Sequence, residues 1–376
     1  VAVSGGGDST ALLHLALAAG FRVEAVTVDH GLRAESAGEA DRVARACASL
    51  GVIHAVRVWS HGPVAGNLMD AARRARAGLI RDWALQRGIS HVALGHTRDD
   101  QAETVLMGLA RQAGIDGLCG MRRDWAEDGV TFHRPLLEAG RAELRDWLRS
   151  RGIGWIDDPT NDDSGFTRTR ARSALRALAP LGITATGLAG VAGHLASVRA
   201  ALSVQVQGAA RRHVTARAGA LKISPGLFAE PAEVQRQLLV GALGWLSQDP
   251  YPPRGGDLAR FLQAVQQGRD ATLRGCRTRG GWILREAGQV GPEVAVGSLW
   301  DRRWRLTGPD ATVRVLGGAG LRACPGWRRL DLPREVLAVT PGVWHGDRLL
   351  AAPLAGWEGG WSAQLDAPDH LFGLSD

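Results

Sequence analysis

A chain of 376 residues has room for two or three domains, and 45% hydrophobic with 22% charged residues is the balance of a globular protein rather than a disordered one. Cys47, Cys119, Cys276 and Cys324 lie far apart with no C-x-x-C pair, which excludes a zinc knuckle or a disulfide framework as the organising device. The net charge of +7 rests almost wholly on arginine, and no stretch reads as a signal peptide or a transmembrane span, so a cytoplasmic protein without a membrane partner is expected.

Val1-Ala2-Val3 starts inside a strand, so further residues are expected ahead of it in the natural protein. Ser4-Gly5-Gly6-Gly7-Asp8-Ser9-Thr10 then turns into an apolar helix. Strands are predicted over Val23–Asp29, Val52–Val58 and Val92–Gly95, alternating with helices over Glu35–Leu50, Leu68–Arg87 and Asp99–Arg111. This βαβ rhythm predicts an α/β fold with a doubly wound parallel sheet and helices on both faces. Ligands bind such sheets beyond the carboxyl ends of the strands. Three strand ends carry polar clusters, Ser4 to Ser9, Asp29-His30-Gly31 and His96 to Asp100, and they are expected to converge. Further helices are predicted over Arg141–Arg151 and Thr167–Leu178, with a polar turn at Asp157 to Asn161 between them and a linker over Pro180–Thr186. Beyond it, helices over Leu188–Val214, Pro231–Leu246 and Asp257–Gln267 suggest a small helical domain ending near residue 292. From Leu299, short β-like runs at Val313–Leu316, Leu337–Thr340 and Arg348–Ala351 suggest a small α+β domain. The expected domains are therefore 1–180, 187–292 and 299–376, and nothing in the sequence indicates an oligomeric state.

The glycine turn has the makings of an anion site, because glycines let backbone N–H groups approach phosphate oxygens and the first amides of the helix have no internal partner. It lacks the lysine of G-x-x-x-x-G-K-[ST] and the last glycine of G-x-G-x-x-G, so neither common nucleotide motif applies. The stretch Ser4 to Ser9 resembles instead the SGG-x-DS signature of the PP-loop ATP pyrophosphatases, which split ATP between its α- and β-phosphates. The resemblance implies an ATP site at Ser4, Gly5, Gly6, Gly7, Asp8 and Ser9, with Asp8 offering an oxygen to Mg2+. A plain tight turn with Asp8 suiting the helix dipole is the alternative.

Asp100 and Glu103 fall one turn apart on one helix face, next to His96, and two carboxylates so spaced can hold a cation between them. For Asp99 alone, helix capping is the plainer reading. Nine basic residues and no acidic one occupy the segment from Ser164 to Lys222, the footprint of a polyanion partner or else a solvated helix face.

Val28-Asp29-His30-Gly31-Leu32-Arg33, Gly95 to Thr104, Asn67 with Ala71-Ala72-Arg73 and Arg76, Arg134-Pro135-Leu136-Leu137, and Asp158-Pro159-Thr160-Asn161 followed by Phe166 and Arg168 together resemble the tRNA(Ile)-lysidine synthetase family. Val234 to Leu239, Leu332-Pro333-Arg334 and Pro341 to Trp344 are similar more weakly to its later domains. The resemblance implies that the wobble cytidine of a tRNA(Ile) with a CAU anticodon is adenylated by ATP and that the ε-amine of free L-lysine then displaces AMP. Making that amine neutral at pH 7 costs roughly 4.6 kcal/mol, so a base is required. Asp100 and Glu103 meet the requirement, and the sequence does not choose between them. The resemblance further implies catalytic roles for Asp8, Arg76 and Arg168, with Asp29, His30 and His96 beside the ATP. Phosphate contacts are expected from Arg168, Arg170, Arg172, Arg176, Arg211 and Arg212. Ala77 and Thr169 depart from the family pattern, where an aromatic and an asparagine are usual. A PP-loop tRNA thiolase would need paired reactive cysteines or an iron–sulfur cluster, which four isolated cysteines do not supply. A tRNA-binding protein with a vestigial ATP site is the remaining alternative.

Overall fold

The computed structural model describes residues 1–31, 36–60, 62, 68–157, 167–249 and 251–366, and the chain divides into two compact units, Val1–Arg199 and Ala200–Asp376. Leu32, Arg33, Asn67, Asp158 to Asn161 and Phe166 lie outside the described residues.

In the first unit the opening residues form an extended segment rather than a full strand, with Ala2 bridging Val26 and Leu94 in parallel. It sits between β1 (Glu24–Asp29) and β3 (His91–Ala93). On its far side β1 pairs in parallel with β2 (Ile53–Val58), and β3 pairs in parallel with β5 (Val130–His133). The edge is β4 (Asp124–Glu127), antiparallel to β5. Successive residues alternate across the sheet, as the pleat demands. Val26, Val92 and Leu94 bury against Ile80, Trp83 and Ala84 of α3 (Leu68–Gln86). Val3 and Ala25 bury on the other face against Leu13 of α1 (Gly7–Ala18) and Val43 and Cys47 of α2 (Ser36–Ser49). Helices on both faces of a parallel core make the unit the α/β fold expected.

Helix α4 (Arg98–Ala110) follows β3, and α5 (Ile115–Leu118) leads to the β4–β5 hairpin, which the sequence reading did not anticipate. Helix α6 (Arg141–Arg149) packs Leu144 and Leu148 on Ala11 and Leu12 of α1. Helix α7 (Thr167–Leu178) spans the range expected for it. The anticipated linker holds a single 3-10 turn, Ala179–Leu181, before α8 (Ala185–His213).

By length and composition α8 is apolar enough to cross a membrane, contrary to the expectation that no such stretch exists. Its C-terminal third is part of a folded core, because Val206, Ala209 and Ala210 are buried with Leu238, Leu239 and Leu243 of α9 (Ala232–Ser247). The second unit holds that core between α9, α10 (Gly255–Gln266) and a five-stranded sheet. Its order is β6 (Val214–Arg217), β7 (Ala220–Ile223), β10 (Trp282–Arg285), β9 (Cys276–Arg279), β8 (Ala271–Leu273), all antiparallel. The segment read as helical to residue 292 is thus mixed, with strands too short to show alternation.

Two smaller sheets follow. One has the order β11 (Val294–Ala295), β14 (Thr312–Val315), β15 (Pro341–His345), β16 (Arg348–Ala351). The other runs β12 (Leu299–Trp300), β13 (Trp304–Thr307), β17 (Ser362–Leu365). Short helices α11 (Gly317–Ala323) and α12 (Arg334–Ala338) complete this α+β part. The run Leu337–Thr340, expected as a strand, contributes instead to α12, which starts after Pro333 and buries Val336 and Leu337.

Candidate active site

The glycine turn is held by its own side chains. Ser9 Oγ accepts from the Ser4 N–H at 3.1 Å and donates to the Gly6 carbonyl at 3.0 Å. The Gly5 carbonyl accepts from Ile156 N–H at 2.8 Å and from Thr10 Oγ1 at 3.2 Å. Gly5 adopts φ +87°, where only glycine is at ease, and a Cβ there would meet Ile156 Cδ1 at 2.6 Å. Gly6 caps α1 without a side chain, which leaves the start of the helix open to an anion.

Thr97 caps α4 in a reciprocal capping box: the Asp100 carboxylate accepts from the Thr97 N–H at 2.8 Å and hydroxyl at 2.9 Å. This fixes Asp100 at the head of the helix and puts Glu103 one turn below it, both buried. The chain then returns through α6, whose first residue reaches the acidic pair. Arg141 donates from Nε to Asp8 Oδ2 at 3.0 Å, from Nη2 to Asp100 Oδ1 at 3.1 Å and from Nη1 to Glu103 Oε1 at 3.2 Å. One guanidinium therefore joins the glycine loop to the acidic pair. From α7, Arg168 Nη1 donates to Asp100 Oδ1 at 3.3 Å and Arg172 Nε to Glu103 Oε1 at 2.7 Å.

Burial alone would push the Asp100 carboxyl up, but Arg141, the Thr97 N–H and Arg168 outweigh it and hold the group below the usual carboxylate range. At Asp8 burial prevails over Arg141 and the carboxyl is raised. Its Oδ1 and Glu103 Oε2 are buried with no partner among the described residues. An unpartnered carboxylate oxygen in a glycine loop is the kind of hard donor Mg2+ takes, so Asp8 fits the role of a metal ligand.

A second set of cations surrounds His96. Arg134 donates from Nε to His96 Nδ1 at 3.0 Å and stacks 4.1 Å over the Trp125 ring. Burial first, then Arg134, depresses His96 to about 3, which keeps the imidazole neutral. Burial and the nearby charges of Arg76 and Arg168 lower Arg134 to about 10. Arg76, half-buried on α3, is lowered by burial and by Arg168. His30 is likewise lowered by burial and then by Arg76. Cations crowded closely enough to depress one another make a positive field that an anion would relieve. Asp29 closes this side, its carboxylate held low by the Gly31 N–H at 2.8 Å.

The structure thus brings Ser4 to Ser9, Asp100, Glu103 and Arg168 to one sheet edge, with Arg76 and His96 close enough to Asp100 to be felt electrostatically. Arg172, expected on a phosphate, is turned inward to Glu103, whereas Arg170 and Arg176 are exposed on α7. Arg212 pairs with Glu230 at 2.6 Å and Arg211 is exposed. Sequence reasoning missed Arg141. The available signal was a cation in the first turn of a helix, where the dipole disfavours it unless carboxylates face it.

The PP-loop domain family matches residues 1–178. The chain is 46% identical over 385 residues to the tRNA(Ile)-lysidine synthase of Ruegeria pomeroyi, covering 99% of this chain and 92% of the relative. With the tRNA(Ile)-lysidine synthase of Bradyrhizobium diazoefficiens it shares 42% identity over 281 residues, 71% of this chain and 78% of that one. Among solved structures, the U34-tRNA thiolase of Methanococcus maripaludis matches with a TM-score of 0.45 and 15% identity, covering 52% of this chain and 70% of that chain.

Proposed function

The chain belongs to the tRNA(Ile)-lysidine synthase family, and from that premise we propose that it activates C2 of the wobble cytidine of a tRNA(Ile) with a CAU anticodon by adenylating its O2 and then ligates free L-lysine at C2. The protein is an ATP-dependent, tRNA-modifying ligase of the PP-loop type. In the first step O2 of the cytidine attacks the α-phosphorus of ATP and pyrophosphate leaves. In the second the lysine ε-amine attacks C2, AMP departs with the oxygen, and the surplus proton of the amine passes to a carboxylate.

One observation carries this reading: a single guanidinium spans Asp8 and the Asp100–Glu103 pair, so pyrophosphate loop and acidic pair share a crevice. The open N-terminus of α1 and the glycine amides would receive the leaving pyrophosphate. Asp8 would hold Mg2+, which when bound neutralises the phosphate charge. Arg76, Arg134 and Arg168 supply the field that favours the nucleotide, and neutral His96 lines the adenine-nucleotide side with Asp29 and His30. The Asp100–Glu103 pair supplies the carboxylate that binds the lysine ammonium and accepts its proton. A catalytic domain over 1–180 would be followed by tRNA-binding domains over 187–292 and 299–376, all acting in the cytoplasm. The exposed Arg170, Arg176 and Arg211 are the phosphate contacts of this reading.

A sulfur-transfer reading gains no support from the thiols. Cys47, Cys276 and Cys324 are buried in three separate clusters, and Cys119 is buried against Arg199. The test is pyrophosphate release from ATP with lysine and tRNA(Ile). Release that depends on the tRNA, followed by lysine incorporation, is expected, and release indifferent to the tRNA sinks the proposal.

A further inference from the structure

Asp100 is spent. Its Oδ2 takes the Thr97 N–H and hydroxyl, and its Oδ1 takes Arg141 and Arg168, four donors for the four lone-pair directions of a carboxylate. Glu103 is half spent: Oε1 takes Arg141 and Arg172, and Oε2 is buried without a partner among the described residues. Asp8 is also half spent, with Oδ2 on Arg141 and Oδ1 buried without a partner among the described residues. The Arg141 guanidinium is shared by all three carboxylates.

Arg141 is itself firmly seated. Its backbone N–H donates to Asp99 Oδ2 at 2.7 Å, and the preceding Ala139 carbonyl accepts from the Arg98 N–H at 2.9 Å. Glu143 closes the turn by accepting from the Gly140 N–H at 3.1 Å and from Arg98 at 2.6 Å. Helix α4 therefore holds the start of α6 at both backbone and side chain, and the guanidinium enters the cluster from a fixed base. Three carboxylates there meet the guanidinium groups of Arg141, Arg168 and Arg172.

We propose that Arg141 is a positioning residue that divides this acidic cluster into two half-sites, leaving Asp8 Oδ1 to the pyrophosphate side and Glu103 Oε2 to the lysine ammonium. The assignment rests on the lysidine reading and deepens it: Glu103 is the carboxylate that meets the amine, and Asp100 is an anchor. A planar fork with three N–H directions aimed at three acceptors is a task a lysine cannot perform, because its ammonium is a point charge on a flexible stem.

The experiment uses the full chain with Arg141→Lys and Arg141→Ala. It follows tRNA-dependent pyrophosphate release, the lysine KM of lysidine formation and the melting temperature. Both variants are expected to release pyrophosphate about thirtyfold more slowly and to show a lysine KM raised about tenfold, since both half-sites lose their spacing at once. Tens of millimolar guanidinium should restore both the release rate and the lysine KM to Arg141→Ala, whereas equal urea should not. A lysine KM within twofold of the native enzyme in Arg141→Lys overturns the proposal, and so does guanidinium that recovers the melting temperature of Arg141→Ala but neither its release rate nor its lysine KM. If Arg141→Ala does not fold, the KM of Arg141→Lys decides alone. A native enzyme that releases no pyrophosphate in response to tRNA brings down the functional reading itself, and the wild-type control separates that failure from the other.

Discussion

At Gly95, the strand end carrying His96 passes so close to the start of α1 that a Cβ would meet Ser9 Cα at 2.9 Å and Ser9 N at 3.0 Å. Those are backbone atoms of the glycine turn and have no side-chain freedom with which to yield. Gly95→Ala is therefore expected to push the turn off its seat, costing about 1–3 kcal/mol of stability and raising the KM for ATP, measurable by urea unfolding and by pyrophosphate kinetics. His96 gives a pH test. Its folded pKa of about 3 lies below the unfolded value of 6.5, so above 6.5 it contributes no pH dependence. As pH falls below 6.5 the unfolded chain takes up a proton that the folded chain refuses, and stability declines by up to about 1.4 kcal/mol per pH unit until the folded pKa is reached. His96→Gln keeps an acceptor for Arg134 and should flatten this acid slope between pH 6 and 4, read from urea midpoints. Asp8, Asp100 and Glu103 are legible in the sequence because loop signature and helical spacing announce them. Arg141 is not, since its partners come from two distant places in the chain, α1 and α4, and only the fold assembles them.

At the scale of elements, the joints between them carry the polar chemistry. Arg285 at the end of β10 is almost fully buried, donates to both oxygens of Asp301 at 2.9 and 3.0 Å and to the Gly275 carbonyl at 2.8 Å, and so ties β10 to the start of the last sheets. Arg285→Met would strand the Asp301 carboxylate in the interior. Its expected cost is about 3–5 kcal/mol, seen as a lowered denaturant midpoint, and a loss under 1 kcal/mol would contradict it. Long helices such as α3, α4 and α9 are legible to within a residue or two, because α3 and α9 present several turns of one apolar face to a core and α4 opens on a capping box. The hairpin β4–β5 and the five-stranded sheet are not, because strands of three or four residues offer too few alternations to stand out. In β4 the sequence Asp124-Trp125-Ala126-Glu127 has no β-branched residue at all. The reverse error at Leu337 has the same origin, a short apolar run whose state is decided by the flanking Pro333 rather than by its own composition.

At the scale of the whole molecule, charge is less free than the sequence suggests. Of the arginines in the basic segment, Arg168 and Arg172 are committed to the acidic pair, and Arg212 shares Glu230 with His213. Neutralising Arg211 and Arg212 together should weaken binding of correct and incorrect tRNAs alike. The salt slope of log affinity should fall by about one rather than two, since each phosphate contact contributes about 0.7–0.9 and Arg212 is already compensated. Filter binding across a salt series checks this, and a loss confined to one tRNA would refute it. All four thiols are buried, Cys47 and Cys119 in the first unit, Cys276 and Cys324 in the second, with burial pushing Cys276 up to about 12. Alkylating reagents attack only an exposed thiolate, so each sulfur can be modified only after its surroundings come apart. The molecule therefore carries two intrinsic clocks in each half, and timed labelling read by mass spectrometry would tell which half breathes first without any engineered reporter.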